Sequence, residues 1–566
     1  MKTNLLCAAV ALACSGPAAA FTFESGGISG SFDSWITLGT GIRAASPGCD
    51  TLIGTVGGAA SPPSGAGAPA GCIDGLTMVN DQGNLNYKKG SAFTTYLNGT
   101  HELLLKFPEN WKFFGRANWR ADASATHASG YISGDQGVAG SSDSFPAGAA
   151  SQLRFKARLL DFWVSKDFDA GGERARVRLG NQVISWGESL FLPGGINQTN
   201  AMDIMRLSQP GTQLKEVFLP APILSMASGL GNGFNVEAYV QPQWNANYFP
   251  PVGSYWSTAT LGAGADAFAP GVFATPTVGK PRNSGQYGVA LRYQPAGTQA
   301  NFGLYAMRYH DKAPVVAYSD PMNGLGAHYT YLEDRTLFGL SASFPLGDWA
   351  IGTELSYRPK DAVSLHTLTQ NNVDGGFCLP GGNCYIDEKK YQFHLTGILS
   401  MTPSDYGGIL SALGGADTAT LMAEAVVVSY PKLQSSYMGV PVAAGFWSWG
   451  FLNANDASFG TPQSVGSRTS WGYNFDFSWT YDGKLIPGWQ VTPEIYYFQA
   501  VKGRTPNGMA LLMEGAKSAN FIVTFMQNPA SWQVGVNYAK FWGGSSVLDQ
   551  PLRGRDFFGL YVTRNF

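Results

Sequence analysis

Nine basic side chains recur at even spacing on three consecutive stretches: Lys112, Arg116 and Arg120; Arg154, Lys156 and Arg158; Arg174, Arg176 and Arg178. On an extended chain, residues two or four apart share a face, so each stretch would present a row of cations. Three adjacent rows make a positive wall that draws anions. Acids occupy comparable positions elsewhere: Glu237, Glu354, Asp476 and Glu494. Opposed to the basic rows, they would set up a transverse field. Enzymatic chemistry has less to work with. The chain has no Gly-x-Ser-x-Gly elbow, no phosphate loop and no His-Glu-x-x-His. Its six histidines stand singly, and His394 has only Thr396 beside it on a strand face. A lipase or esterase would need a base, a nucleophile and an orienting group together. We therefore expect no catalytic residues, no metal and no cofactor.

Composition says what must position those charges. Charged residues make up only 13% of the 566, aromatics another 13%, and glycine contributes 72. Soluble proteins carry about 25% charge. Mean hydropathy is nevertheless only -0.06. A soluble multidomain enzyme needs more surface charge, and a helical membrane protein needs apolar runs of about 18 residues. Past the first twenty residues no such run occurs. A net charge of -2 gives no basic footprint for nucleic acid.

Lys2, the apolar stretch from Leu5 to Ala13, and Ala18-Ala19-Ala20 form a secretory signal, with cleavage after Ala20. Residues 1–20 are then the signal peptide and 21–566 one domain. Four cysteines stay in the mature chain. Cys49 with Cys72, and Cys378 with Cys384, are close pairs, and export to an oxidising compartment predicts two local disulfides. Neither pair has a histidine at zinc-ligand spacing.

The periodicity is two almost throughout. Trp471, Tyr473, Phe475, Phe477, Trp479 and Tyr481 alternate with Gly472, Asn474, Asp476, Ser478 and Thr480. One face is aromatic and the other small or polar, as on a strand between lipid and water. The pattern predicts eighteen strands: 31–43, 93–106, 111–122, 153–167, 173–184, 213–228, 234–243, 285–295, 300–309, 335–344, 349–358, 391–402, 419–431, 469–481, 489–500, 519–527, 532–542 and 554–566. Connections alternate long and short. Only 403–418 blurs the rule, with a helix expected from Ser404 to Leu413. That asymmetry belongs to an all-β, antiparallel transmembrane barrel of about 18 strands (range 16–20). Lipid-facing Arg or Lys costs about 2–4 kcal/mol at the midplane, so the basic rows must point into the lumen. Near Asp161 the alternation breaks, which suggests a bulge.

The connection 185–212 is too apolar for a freely exposed loop. We expect it to fold inward and narrow the lumen, with Trp186, Glu188, Phe191, Met202, Asp203 and Arg206 at the constriction and one or two helical turns between Asn200 and Leu207. The chain ends on Phe566, with Val562, Leu560 and Phe558 on its face; a terminal aromatic on such a strand resembles the sorting signal read by the barrel-assembly machinery. Arg564 departs from that pattern.

Several stretches resemble one proteobacterial outer-membrane family, catalogued as domain of unknown function 1302. They are Gly30-Ser31-Phe32-Asp33, the segment Asp81 to Tyr87, Arg178 through Trp186-Gly187-Glu188, Pro210-Gly211, Leu214-Lys215-Glu216, Leu219-Pro220 and Arg553 to Phe558. The Trp186-Gly187-Glu188 part is the most specific. The resemblance implies a barrel in the outer membrane of a Gram-negative bacterium. It also implies a periplasmic carrier and an inner-membrane transporter of the resistance-nodulation-division type as partners, and hydrophobic compounds as cargo. It supplies no catalytic residues. Taken together, the sequence predicts a porin-like transport barrel, set in outer-membrane lipid, passing a small amphiphilic or hydrophobic compound that could carry negative charge. The competing readings are a lipid- or ester-cleaving outer-membrane enzyme and a structural or assembly-partner barrel.

Overall fold

The computed structural model describes residues 21–46, 82–127, 145, 147–258, 262–264, 279–365, 371–434, 436–441, 466–507, 511–544 and 549–566. Ala18, Ala20, Cys49, Cys72 and His366 lie outside them.

Eighteen antiparallel strands close into one barrel. They are β1 Ile28–Arg43, β2 Ala92–Phe107, β3 Trp111–Asp122, β4 Phe155–Ala170, β5 Glu173–Gln182, β6 Ala221–Gly231, β7 Phe234–Gln241, β8 Gln286–Tyr293 and β9 Asn301–Tyr309. The second half comprises β10 Arg335–Leu346, β11 Trp349–Ser364, β12 Tyr385–Met401, β13 Thr418–Ser429, β14 Thr469–Ile486, β15 Trp489–Lys502, β16 Ala516–Gln527, β17 Trp532–Gly543 and β18 Phe557–Asn565. Each pairs with the next, and β18 returns to β1 from Trp35↔Asn565 to Arg43↔Phe557. Below that seam, where β18 has ended, the short strand Phe21–Ser25 covers the remaining edge of β1. Closure leaves no sheet edge to be satisfied by lipid, which cannot hydrogen-bond.

All eighteen expected strands are present, with shifted ends. β6 starts at Ala221 rather than 213, because Leu214–Glu216 is a single 3-10 turn and Phe218–Leu219 pairs with Ala201–Met202. β4 starts at Phe155 because Ala147–Arg154 is a helix, α1, and this takes Arg154 off the strand. The expected break near Asp161 is a bulge: Gly115 pairs with Phe162 but Ala117 pairs with Leu159. The extra residue switches parity, so Arg158 and Asp161 can both face inward while Leu159 and Phe162 stay exposed outside. A second helix, α2 (Pro403–Ala412), fills the expected place between β12 and β13. It covers Leu399, Met401 and Ala419, which would otherwise face outward. A hairpin in the loop 310–334, Val315–Asp320 with Leu325–Thr330, was not expected from the pattern.

The outer surface is apolar. Leu179, Leu224, Val240, Leu304, Leu340, Leu395, Phe558 and Leu560 are all exposed, as a lipid-facing wall requires. Among the described residues no helix is long and apolar enough to cross a membrane.

Candidate functional site

The interior is built around the connection between β5 and β6. It crosses the lumen and docks on strands far away in sequence. Trp186 donates its indole N–H to Glu237 on β7 at 2.8 Å. Gly187, at φ +93°, lies against Glu354 on β11, where a Cβ would collide with the carboxylate. Glu354 accepts the backbone N–H of Glu188 at 2.7 Å and of Ile196 at 3.0 Å. Glu424 on β13 accepts those of Phe191 and Leu192 at 2.6 and 3.0 Å. Gln392 on β12 donates to the Pro193 carbonyl at 3.0 Å, and Arg358 on β11 donates to that of Gly194. His394 Nδ1 sits 2.6 Å from Glu424, and its Nε2 lies 2.8 Å from the Gln392 amide nitrogen. Carboxylate on one side and amide donor on the other assign the Nδ1–H tautomer. Glu354, His394, Gln392 and Glu424 are all buried. An irregular segment inside a barrel must find partners for its backbone, and these side chains provide them.

The far part of the same segment is anchored to β2 and β3. Glu216 accepts from Thr100, from Asn98 at 3.2 Å and from Asn118 at 3.1 Å, and pairs with Arg206 at 3.0 Å. Arg206 also reaches the Asn118 side-chain oxygen at 2.7 Å and Asp203 at 3.7 Å, while Asp203 pairs with Arg158 on β4. The Tyr96 hydroxyl donates to the Pro210 carbonyl at 2.6 Å. Of the residues expected at the constriction, Trp186, Asp203 and Arg206 are buried in these anchoring contacts, and Glu188, Phe191 and Met202 stay partly exposed. The expected helical turns are displaced: Ile196–Thr199 and Arg206–Ser208 are short 3-10 turns flanking the extended Ala201–Met202.

A second loop joins it, which sequence reading did not single out. Asn247 accepts the Met202 N–H at 2.9 Å, and Tyr248 exchanges backbone hydrogen bonds with Met202 and Ile204. Tyr255 stacks on Phe93 of β2 at 3.9 Å, and Arg555 donates to the carbonyls of Tyr255 and Ser257. Arg43 on β1 binds the carbonyls of Asn84 and Tyr87 at 2.5 and 2.7 Å and that of Gly554 at 2.6 Å. Stretches that carried the family resemblance thus meet at one end of the lumen.

The basic rows are present but interleaved with acids on the same strands. Asp167 on β4 gathers Lys112 at 2.7 Å, Arg176 at 2.5 Å and Arg174 at 3.1 Å. Arg116 bridges Glu102 and Asp161 at 2.7 and 2.6 Å. Arg120 lies 3.6 Å from Asp122 and 3.6 Å from the Tyr96 ring centre. Lys156 instead lies over the Tyr248 ring at 3.5 Å, and Arg178 over Trp163 at 4.2 Å. Arg154, at the end of α1, points its Nε toward Thr126 at 3.4 Å. On the acidic side, Glu237 is shared by Trp186 and Arg292, and Glu354 holds the crossing segment. Asp476 and Glu494 sit on the adjacent strands β14 and β15, one pleat apart. The expected Cys378–Cys384 disulfide is formed, buried beside Tyr318.

The profile of the family described as "Protein of unknown function (DUF1302)" matches residues 1–566. No curated protein matches the sequence. Among solved structures, the chain is similar to OccAB1 of Acinetobacter baumannii at 10% identity and a TM-score of 0.41, covering 95% of this chain and 96% of that one. OpdK of Pseudomonas aeruginosa, crystallised with vanillate, gives 11% identity and a TM-score of 0.39 over 94% and 98%. OccK9 (OpdG) of the same organism gives 9% and 0.40 over 95% and 97%.

Proposed function

We propose that this chain, which belongs to the DUF1302 family over its whole length, is an outer-membrane channel for small amphiphilic anions. The observation that carries the reading is the crossing segment, pinned by buried carboxylates on both sides of a closed barrel. A barrel that served only as scaffold or assembly partner has no need to hold a loop across its own lumen. A substrate channel does, because selectivity requires a narrow, lined passage. The basic wall supports negative charge in the solute, since Lys156 and Arg178 rest on aromatic rings rather than on carboxylates. Leu207 and Leu214, exposed on the crossing segment, support an apolar body. The periplasmic carrier and inner-membrane transporter expected from the family would hand over or receive such a compound.

Liposome swelling with sugars, simple carboxylates and steroid-like carboxylates tests the proposal. Amphiphilic carboxylates should enter faster than sugars of similar size. Equal rates for all three would remove the selectivity claimed here, and no swelling with any would remove the channel.

A further inference from the structure

Strands β15 to β17 form a part of the wall that the crossing segment touches through apolar side chains. Among the described residues, segment 183–220 makes no hydrogen bond to them. Of their inward positions, Thr492, Glu494, Asn520 and Thr524 are polar and remain partly open to solvent, with Ile522 among them opposite Glu494. Near the ends of these strands the segment packs into the interior, Leu192 in a buried cluster with Ala500 and Ala516 and Met205 against a cluster that includes Ala539. Further along the wall it meets them through an aromatic pair. Phe191 lies against Tyr496 of β15, with ring centres 5.8 Å apart and planes at 59°. Tyr496 is opposite Asp476 on one neighbouring strand and Asn520 on the other, and Asn474 approaches its hydroxyl at 3.4 Å. The Phe191 backbone cannot drift, because its N–H is held by Glu424 at 2.6 Å. Its side chain is only half-buried and has no polar partner to restrain it.

From this geometry we infer that the Phe191–Tyr496 pair is the aperture that sets which solutes pass. The inference rests on the channel reading and deepens it. A fixed backbone with a ring at its tip, set against a largely polar, partly wetted wall, makes a slot whose width is the ring contact itself. Ring rotation is fast, occurring on the ps–ns scale for accessible side chains, so the slot yields to a flat solute without unlatching the segment. Such a slot favours planar or apolar bodies, which can slide along ring faces, over bulky hydrated ones.

The test uses the full-length mature protein in planar bilayers and in swelling liposomes, with Phe191→Ala and Phe191→Trp. Neither substitution touches the backbone bonds to Glu424, and heat-modifiable gel migration verifies that each variant folds. The Ala variant should raise single-channel conductance severalfold and admit bulkier solutes, whereas the Trp variant should lower both. Wild-type conduction with no change in either folded variant would overturn the aperture and leave the channel standing. No conduction through folded wild type and folded Phe191→Ala would overturn both.

Discussion

His394 and Glu424 face each other across adjacent strands with Nδ1 and Oε1 2.6 Å apart, and the other oxygen of Glu424 receives the N–H groups of Phe191 and Leu192. The wall of the barrel thus holds the backbone of a segment that began on the opposite side.

Removing Glu424 should release that segment without unfolding the barrel. Glu424→Ala leaves two backbone donors and His394 without their acceptor, at about 1–3 kcal/mol for each buried unsatisfied group. Limited proteolysis should then cut between residues 186 and 198 while the heat-modifiable barrel survives. Glu216→Ala should be more damaging, because it leaves three buried donors, Asn98, Thr100 and Asn118, without this acceptor and in addition breaks the buried pair with Arg206, which alone costs about 3–5 kcal/mol. Urea unfolding of the two variants in detergent should rank them in that order; the reverse order would refute this account of the anchors.

The two cysteine pairs give a covalent prediction. Cys378 and Cys384 are bridged, and Cys49 with Cys72 should be bridged likewise in exported protein. Mass spectrometry of unreduced digests should find both pairs closed and no crossed species. Free thiols at Cys49 and Cys72 would refute the second bridge.

Lys312 should leave a signature in the pH dependence of stability. It is buried where the loops after β7 and β9 meet, with, among the described residues, only the amide oxygens of Asn245 and Gln286 within hydrogen-bond reach, at 3.3 and 3.4 Å. Burial pulls its ammonium from the ordinary 10.5 down to about 7, partly opposed by the charge of Asp311. The folded state then binds fewer protons than the unfolded state between those values. Stability from this group therefore rises with pH across that window, and the penalty is complete below it. Lys312→Met should flatten the rise in unfolding temperature between pH 7 and pH 10 relative to wild type. Identical slopes would show that the lysine is not the source.

The wall was legible in the sequence and the interior only in part. Strand positions follow from local alternation, because a residue facing lipid and one facing water obey different solvation rules within a few residues of each other. Even the bulge at Asp161 shows as a break in that rhythm. What alternation does not encode is the partner of a residue across the lumen. Glu354 reads as one acid on an inward face, but its role depends on Gly187, Glu188 and Ile196, far away in the chain. Arg358 likewise reads only as a charge on the face of Glu354, and Glu424 and Gln392 are not singled out by alternation. His394 reads as an isolated histidine because Glu424 is thirty residues distant. Asp167 lies at the end of the predicted strand 153–167, beyond the parity switch, where uninterrupted alternation from Arg158 points it outward. The one usable clue was the Trp186-Gly187-Glu188 stretch. A glycine between two side chains of strong hydrogen-bonding habit marks a backbone pressed against something, and that something is Glu354.

Asp167 also allows the basic wall to be tested from both directions. It neutralises part of the charge of Lys112, Arg174 and Arg176, and the side chains of Arg174 and Arg176 are 74% and 40% exposed. Asp167 itself is only 7% exposed, but Lys112, Arg174 and Arg176 all keep contact with solvent, so its neutralisation leaves no buried cation unpaired and Asp167→Asn should fold. It should also raise anion preference in planar bilayers by freeing three cations. Replacing Arg174, Arg176 and Arg178 together with Glu should lower or reverse that preference. Both shifts should be largest at 0.01 M salt, where screening extends to about 30 Å, and nearly vanish at 1 M, where it falls to about 3 Å. Leu179, 56% exposed on the outer face of the same strand, is the counterpart. Leu179→Arg should impair assembly rather than selectivity, since a lipid-facing Arg costs about 2–4 kcal/mol at the midplane. Unchanged ion preference in the folded triple variant, together with none in Asp167→Asn, would show that these arginines only solvate the lumen.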